Sequence, residues 1–167
     1  REVNVRRSSM TLFSDPTCQF SHRVRIVLAE KGVTVEIENT ETDCVTDEIL
    51  EANPYGTLPT LVDRDLALYK STVIMEYLDE RFPHPPLLPV YPVSRAESRL
   101  WIHRIERDWC SLIPKIEVQD SDEARTELRD SIVSIASIFD EMPYFMSEEF
   151  TLVDCCLAPL LWRLPSY

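Results

Sequence analysis

The sequence predicts an α/β unit with its elements in the order βαβαββα, followed by an all-α unit. Three observations predict it. Residues 10–82 alternate short β-type runs with amphipathic stretches. Residues 83–92 hold five of the chain's twelve prolines. Beyond them every apolar pattern has a helical period. Proline lacks a backbone donor, so residues 83–92 fit neither a helix interior nor a central strand, and they read as a loop between residues 10–82 and residues 93–167.

The first unit can be justified element by element. Residues 1–9 carry Arg1, Arg6 and Arg7 without an apolar period and read as a disordered arm. The run MTLFS at 10–14 predicts a strand. Asp15, Pro16 and Thr17 stop it and open a helix over about 18–31, in which Val24, Ile26, Val27 and Leu28 form the apolar face. Gly32 stands where a left-handed C-cap is wanted. Residues 33–37 alternate and predict a second strand, parallel to the first because a helix separates them. A short helix at 47–52 and turn chemistry at Asn53, Pro54, Tyr55 and Gly56 lead into a hairpin of 58–62 and 66–69. Ser71 is expected to cap a third helix that turns Val73, Ile74, Tyr77 and Leu78 inward and runs to Phe82. A βαβ unit followed by αββα is the thioredoxin-like architecture.

In the second unit, a helix over 94–113 is expected to bury Ile102, Ile105, Trp109, Leu112 and Ile113. Asp120 and Glu123 form a capping-box-like pair ahead of Leu128, Ile132, Ile135 and Phe139. Thr151 and Asp154 form a second such pair ahead of 152–164, a stretch apolar nearly all round and therefore expected at the centre of this unit's core. Trp101, Trp109 and Trp162 read as core or dimer packing.

The net charge of −12 repels phosphate backbones over most of the surface and argues against direct nucleic-acid binding. No apolar run approaches the ~18 residues of a membrane span, and no charged-then-apolar leader opens the chain, so a soluble cytoplasmic protein is expected. Cys18, Cys44, Cys110, Cys155 and Cys156 have no framework spacing and read as reduced thiols. With only three histidines and no close Cys/His grouping, no metal is expected.

The strings SHRVRIVLAEKG at 21–32 and NPYGTLPTL at 53–61, with the Thr151/Asp154 cap in a late apolar helix, resemble the glutathione-transferase superfamily. The longer strings MEYLDERFPHPPL at 75–87, PVYPV at 89–93, LVDC at 152–155 and PLLWRLP at 159–165 are similar to its bacterial stringent-starvation branch. The resemblance implies a glutathione-transferase-like fold with a cis Leu58–Pro59 bond. It implies a homodimer that regulates transcription in starvation or stress by binding RNA polymerase holoenzyme, including its sigma subunit, without catalysing a reaction. Members of that branch run on for several tens of residues, so the resemblance also implies that the last helices are missing from this chain.

Two candidate sites follow. The resemblance makes the loop a protein-binding surface, with Pro83, His84, Pro85, Pro86 and Tyr91 as its contact residues. Its composition alone reads as a stiff linker near polyproline geometry, which would present a low-entropy docking surface. The second site is a vestigial glutathione pocket at Leu58, Pro59 and Ser71. Transferases place an acidic residue before that serine to meet the glutamyl ammonium; here Lys70 inverts the charge, although Ser71 and the helix terminus could still receive the glutamyl carboxylate, so no cofactor is expected, with glutathione as the alternative. The alternative function is a glutathione-dependent thiol transferase or reductase using Cys18, which lies just ahead of a helix N-terminus where a thiolate is favoured. Gln19 argues against it, since cysteine-type transferases usually carry proline after the cysteine. Arg95, Arg99, His103 and Arg107 recur every four residues and predict a basic stripe on one helix, either a solvated face or an electrostatic docking patch.

Overall fold

Strand β1 (Met10–Ser14) lies inside a four-stranded sheet of order β2-β1-β3-β4. The sheet is seen in a computed structural model that describes residues 9–167. All but the last residue of the arm expected at 1–9 lies outside the described residues. β1 pairs in parallel with β2 (Glu36–Asn39), Leu12 opposite Ile37, and antiparallel with β3 (Thr60–Asp63), Leu12 opposite Leu61. β4 (Leu66–Tyr69) completes the hairpin with β3. The chain divides into two compact units, one ending at Pro85 and the other beginning at Pro86.

In the first unit β1 is followed by α1 (Gln19–Lys31), α2 (Asp47–Ala52) precedes β3, and α3 (Ser71–Arg81) follows β4. Successive strand residues face opposite sides of a sheet, so Leu12 and Phe13 serve different layers. Phe13 packs with Ile49 of α2 and with Leu58, while α1 and α3 pack together through fully buried Val24, Val27, Ile74 and Leu78. Burying each such aliphatic side chain stabilises by about 1.5–3 kcal/mol.

Gly32 takes the left-handed C-cap at φ 63°, its N–H and that of Val33 closing onto Ala29 and Leu28 carbonyls. That closure uses the residues just after α1, so β2 begins at Glu36 and not at 33; as an edge strand it is exposed throughout, and its alternation carries no core signal. On α3 the inward stripe is Ser71, Ile74, Met75, Leu78 and Asp79, while Val73 is exposed. Ser71 is also not the cap: Lys70, at φ 71°, holds that position and Ser71 is the first helical residue.

The second unit opens with α4 (Pro92–Asp108), entered through a proline whose missing N–H costs nothing in the first turn. The helix expected over 94–113 stops at Asp108, and α5 (Ile113–Glu117) follows a 3-10 turn. Pro114 explains the break, because its ring excludes the carbonyl four residues back and it donates no bond. Ile102, Ile105, Trp109, Leu112 and Ile113 are nonetheless all buried. α6 (Asp122–Ser134) is capped by Ser121, whose Oγ accepts from the Ala124 N–H at 3.2 Å, and not by Asp120 and Glu123. The apolar repeat through Phe139 is split between α6 and α7 (Ile138–Glu141). α8 (Leu152–Arg163) has the full Thr151/Asp154 capping box and buries Leu152, Cys155, Cys156 and Leu160 at its centre. Trp109 is buried with its Nε1 donating to Ser131 Oγ at 2.8 Å, but Trp162 is exposed and is no core residue of this chain.

Candidate functional site

The last turn of α1 carries Lys31, whose side chain is wholly buried. Its ammonium lies 2.7 Å from Asp79 Oδ1 on α3 and also donates to the carbonyl oxygen of Pro85. A buried cation needs an opposite charge and further acceptors to offset lost hydration, and this one takes its second acceptor from the proline-rich loop. Pro83, His84 and Pro85 are exposed beside that anchor in the first unit. In the second unit Pro86 is exposed, Leu87 and Leu88 are buried, and the Leu152 N–H donates to the Leu87 carbonyl at 2.8 Å. Tyr91 is exposed at the start of α4. The bonds Leu58–Pro59 and His84–Pro85 are both cis, the first as expected.

Lys31 and Asp79 were not singled out in the sequence. Asp79 was findable, because it stands four residues after Met75 and so extends the inward stripe of α3. Lys31 reads as an ordinary cation at a helix C-terminus and gives no such signal.

Around the thiol, Cys18 is half-buried at the N-cap of α1, and its side chain makes no cap bond. The turn before it is built on Asp15. Its Oδ1 accepts from the Thr17 N–H and hydroxyl, both at 2.8 Å, and its Oδ2 accepts from the Thr42 N–H at 3.1 Å and from the Thr42 hydroxyl. Burial alone would push the Asp15 carboxyl up, but these bonds outweigh it and hold it below its ordinary value. Asn53 organises the turn into β3, receiving the Tyr55 N–H and donating to the Thr57 carbonyl and to Thr60 Oγ1. Leu58 and Pro59 are buried behind it. Ser71 is buried and its hydroxyl accepts from Arg23 Nη1 at 3.4 Å, so a ligand carboxylate would have to compete with that arrangement. Lys70 is exposed immediately before it.

Along α4, Arg99, His103 and Arg107 are exposed, while Arg95 is half-buried and reaches back to the Pro89 carbonyl at 3.4 Å. Among the described residues no group of three His, Cys, Asp or Glu side chains is placed to hold a metal, and no helix is long and apolar enough to cross a membrane.

The mixed sheet, the cis Leu58–Pro59 bond and the N-capped late helix together define a glutathione-transferase-like fold. Residues 12–86 match the glutathione S-transferase N-terminal domain family. Glutathione transferase Omega 3C from Trametes versicolor superposes with a TM-score of 0.81 at 25% identity, over 93% of this chain and 72% of that one. Within the superfamily the chain belongs to the stringent starvation protein A family. It is 60% identical to the stringent starvation protein A homolog of Pasteurella multocida over 95% of its own length and 76% of that protein. It is 56% identical to the homolog of Coxiella burnetii, over 96% and 78% respectively.

Proposed function

We propose that the protein is a non-catalytic transcription regulator of the starvation or stress response in the bacterial cytoplasm, acting as a homodimer that docks on RNA polymerase holoenzyme and its sigma subunit through Pro83, His84, Pro85, Pro86 and Tyr91. Support comes from membership of the stringent starvation family and, above all, from one observation: Lys31, itself paired with Asp79, fastens the Pro85 carbonyl while Pro83, His84 and Pro85 stay exposed. A surface ordered before contact loses less conformational freedom on binding, so a small loop can contribute usefully to affinity. Lys70 and the Arg23-engaged Ser71 favour this reading over a thiol enzyme built on Cys18. Co-elution with purified RNA polymerase holoenzyme tests it. The parent protein should co-elute, and a folded Pro83→Ala, His84→Ala, Pro85→Ala variant should not. Failure of the parent to co-elute, or retention of the triple variant, overturns the proposal. Specific retention on immobilised glutathione, with disulfide-reductase activity that Cys18→Ser abolishes, would establish the thiol enzyme in its place.

A further inference from the structure

The second unit contains a groove of about 710 Å³ that shares only Pro86 with the residues of the polymerase-docking reading. It lies between residues 86–90, one side of α4 and the residues leading into α8. We propose that this groove binds an extended segment of a partner protein in which a bulky apolar side chain is flanked by Lys or Arg.

The occupant's chemistry is read from the walls. Val90, Trp101, Met146 and Phe150 line the groove with apolar surface, and Val90 and Met146 are 81% and 52% exposed, so apolar area there awaits cover. Three carboxylates, Glu97, Glu148 and Glu149, stand among the lining residues, and no Lys or Arg does. Two cations engage groups of lining residues from beside the groove. Arg95 reaches the Pro89 carbonyl, and the Arg104 guanidinium lies over the Trp101 ring at 4.2 Å. An apolar trough rimmed by one sign of charge favours a ligand of the opposite sign at its edges and apolar at its middle, and rejects anionic ligands. Its volume falls within the range of about 300–1,000 Å³ over which pockets bury a ligand efficiently.

The walls are also preformed. The Leu152 N–H holds the Leu87 carbonyl at 2.8 Å, and the Phe145 N–H donates to Asp154 Oδ1 at 3.0 Å. Tyr144 and Ser147 bond each other's backbones, and the turn between them places Met146 at φ 50°, in the left-handed region that non-glycine residues avoid. Backbone strain of this kind clusters at ligand clamps. Here it presents a flexible thioether, a side chain suited to adaptable apolar contact.

The test needs no polymerase, so its failure is distinguishable from failure of the polymerase co-elution. A fluorescein-labelled nonapeptide with a central Leu-Trp pair flanked by lysines is titrated with the protein by fluorescence anisotropy. Two control peptides replace the Leu-Trp pair by serines or the lysines by glutamates. Saturable binding of the first peptide alone is expected, weakened about tenfold or more, equivalent to ~1.4 kcal/mol, in a Glu97→Gln, Glu149→Gln variant and separately in Met146→Ser. A Glu48→Gln, Glu51→Gln variant, carrying the same charge change in the first unit, should bind as the parent does. Absence of saturable binding, equal binding of the serine control, or equal behaviour of the two charge variants overturns the proposal.

Discussion

Lys31 and Asp79, 48 residues apart in the chain, form a buried ion pair at 2.7 Å, and the same ammonium holds the Pro85 carbonyl. One side chain therefore serves the packing of α1 against α3 and the placement of the exposed prolines. Lys31→Met should destabilise by about 3–5 kcal/mol, because it leaves a buried carboxylate without its cation. The Lys31→Met, Asp79→Leu double variant should recover most of that loss, measured by urea denaturation. It still lacks a donor for Pro85, so its co-elution with polymerase should remain weaker than the parent's. Equal polymerase affinity in the double variant would limit the pair to a folding role.

Asp15 gives the protein a pH dependence of determined sign. Its folded-state carboxyl lies below the ordinary value of 3.8, so it contributes stability above that value and loses the contribution as pH falls through the folded value. Asp15→Asn should cost about 1–3 kcal/mol at pH 7 and flatten the acid side of the stability curve. Thermal melts from pH 7 to pH 2 on parent and variant measure both effects, and parallel curves would contradict the assignment.

The capping box of α8 should be unequal in its two halves. The Thr151 hydroxyl accepts from the Val153 N–H, whereas Asp154 accepts from the backbones of Thr151 and Phe145. Thr151→Ala is expected to cost about 1 kcal/mol and Asp154→Ala about 2 kcal/mol, compared by denaturant midpoint. The reverse order would place the helix start under the control of the hydroxyl.

On the proposal that Leu58, Pro59 and Ser71 form a vestigial glutathione pocket, Lys70 should govern how that pocket treats glutathione. Lys70→Asp places an acidic group at that position, directly before Ser71. Retention on immobilised glutathione should be absent in the parent and rise in the variant, in each case unchanged by Cys18→Ser. Strong retention of the parent would remove the charge argument.

The parts of the fold legible in the sequence were those decided within a few residues. Gly32 ends α1, Asn53 to Gly56 turn the chain before Pro59, and Thr151 with Asp154 start α8, because each depends on backbone groups at most four positions away. Where two local signals competed, pattern misjudged the outcome. Asp120 and Glu123 imitated a capping box beside Ser121, which holds the cap. Apolar period carried the expected helix to Ile113, whereas α4 ends at Asp108 and Pro114 sits in the first turn of α5. Val73 looked inward because three of its neighbours are apolar, yet Met75 and Asp79 occupy the buried stripe.

The sequence by itself determined the order of elements and, through long matching strings, the family and the cis proline before β3 that the family resemblance implies, since such strings are local properties of a chain. Only the tertiary structure decided that Lys31 and Asp79 meet, that Ser71 accepts from Arg23 and does not cap its helix, and that Val90, Met146 and three glutamates share one groove. Those relationships join residues tens of positions apart. Their energies arise when desolvated charges and apolar surfaces come together, which no spacing along the chain encodes.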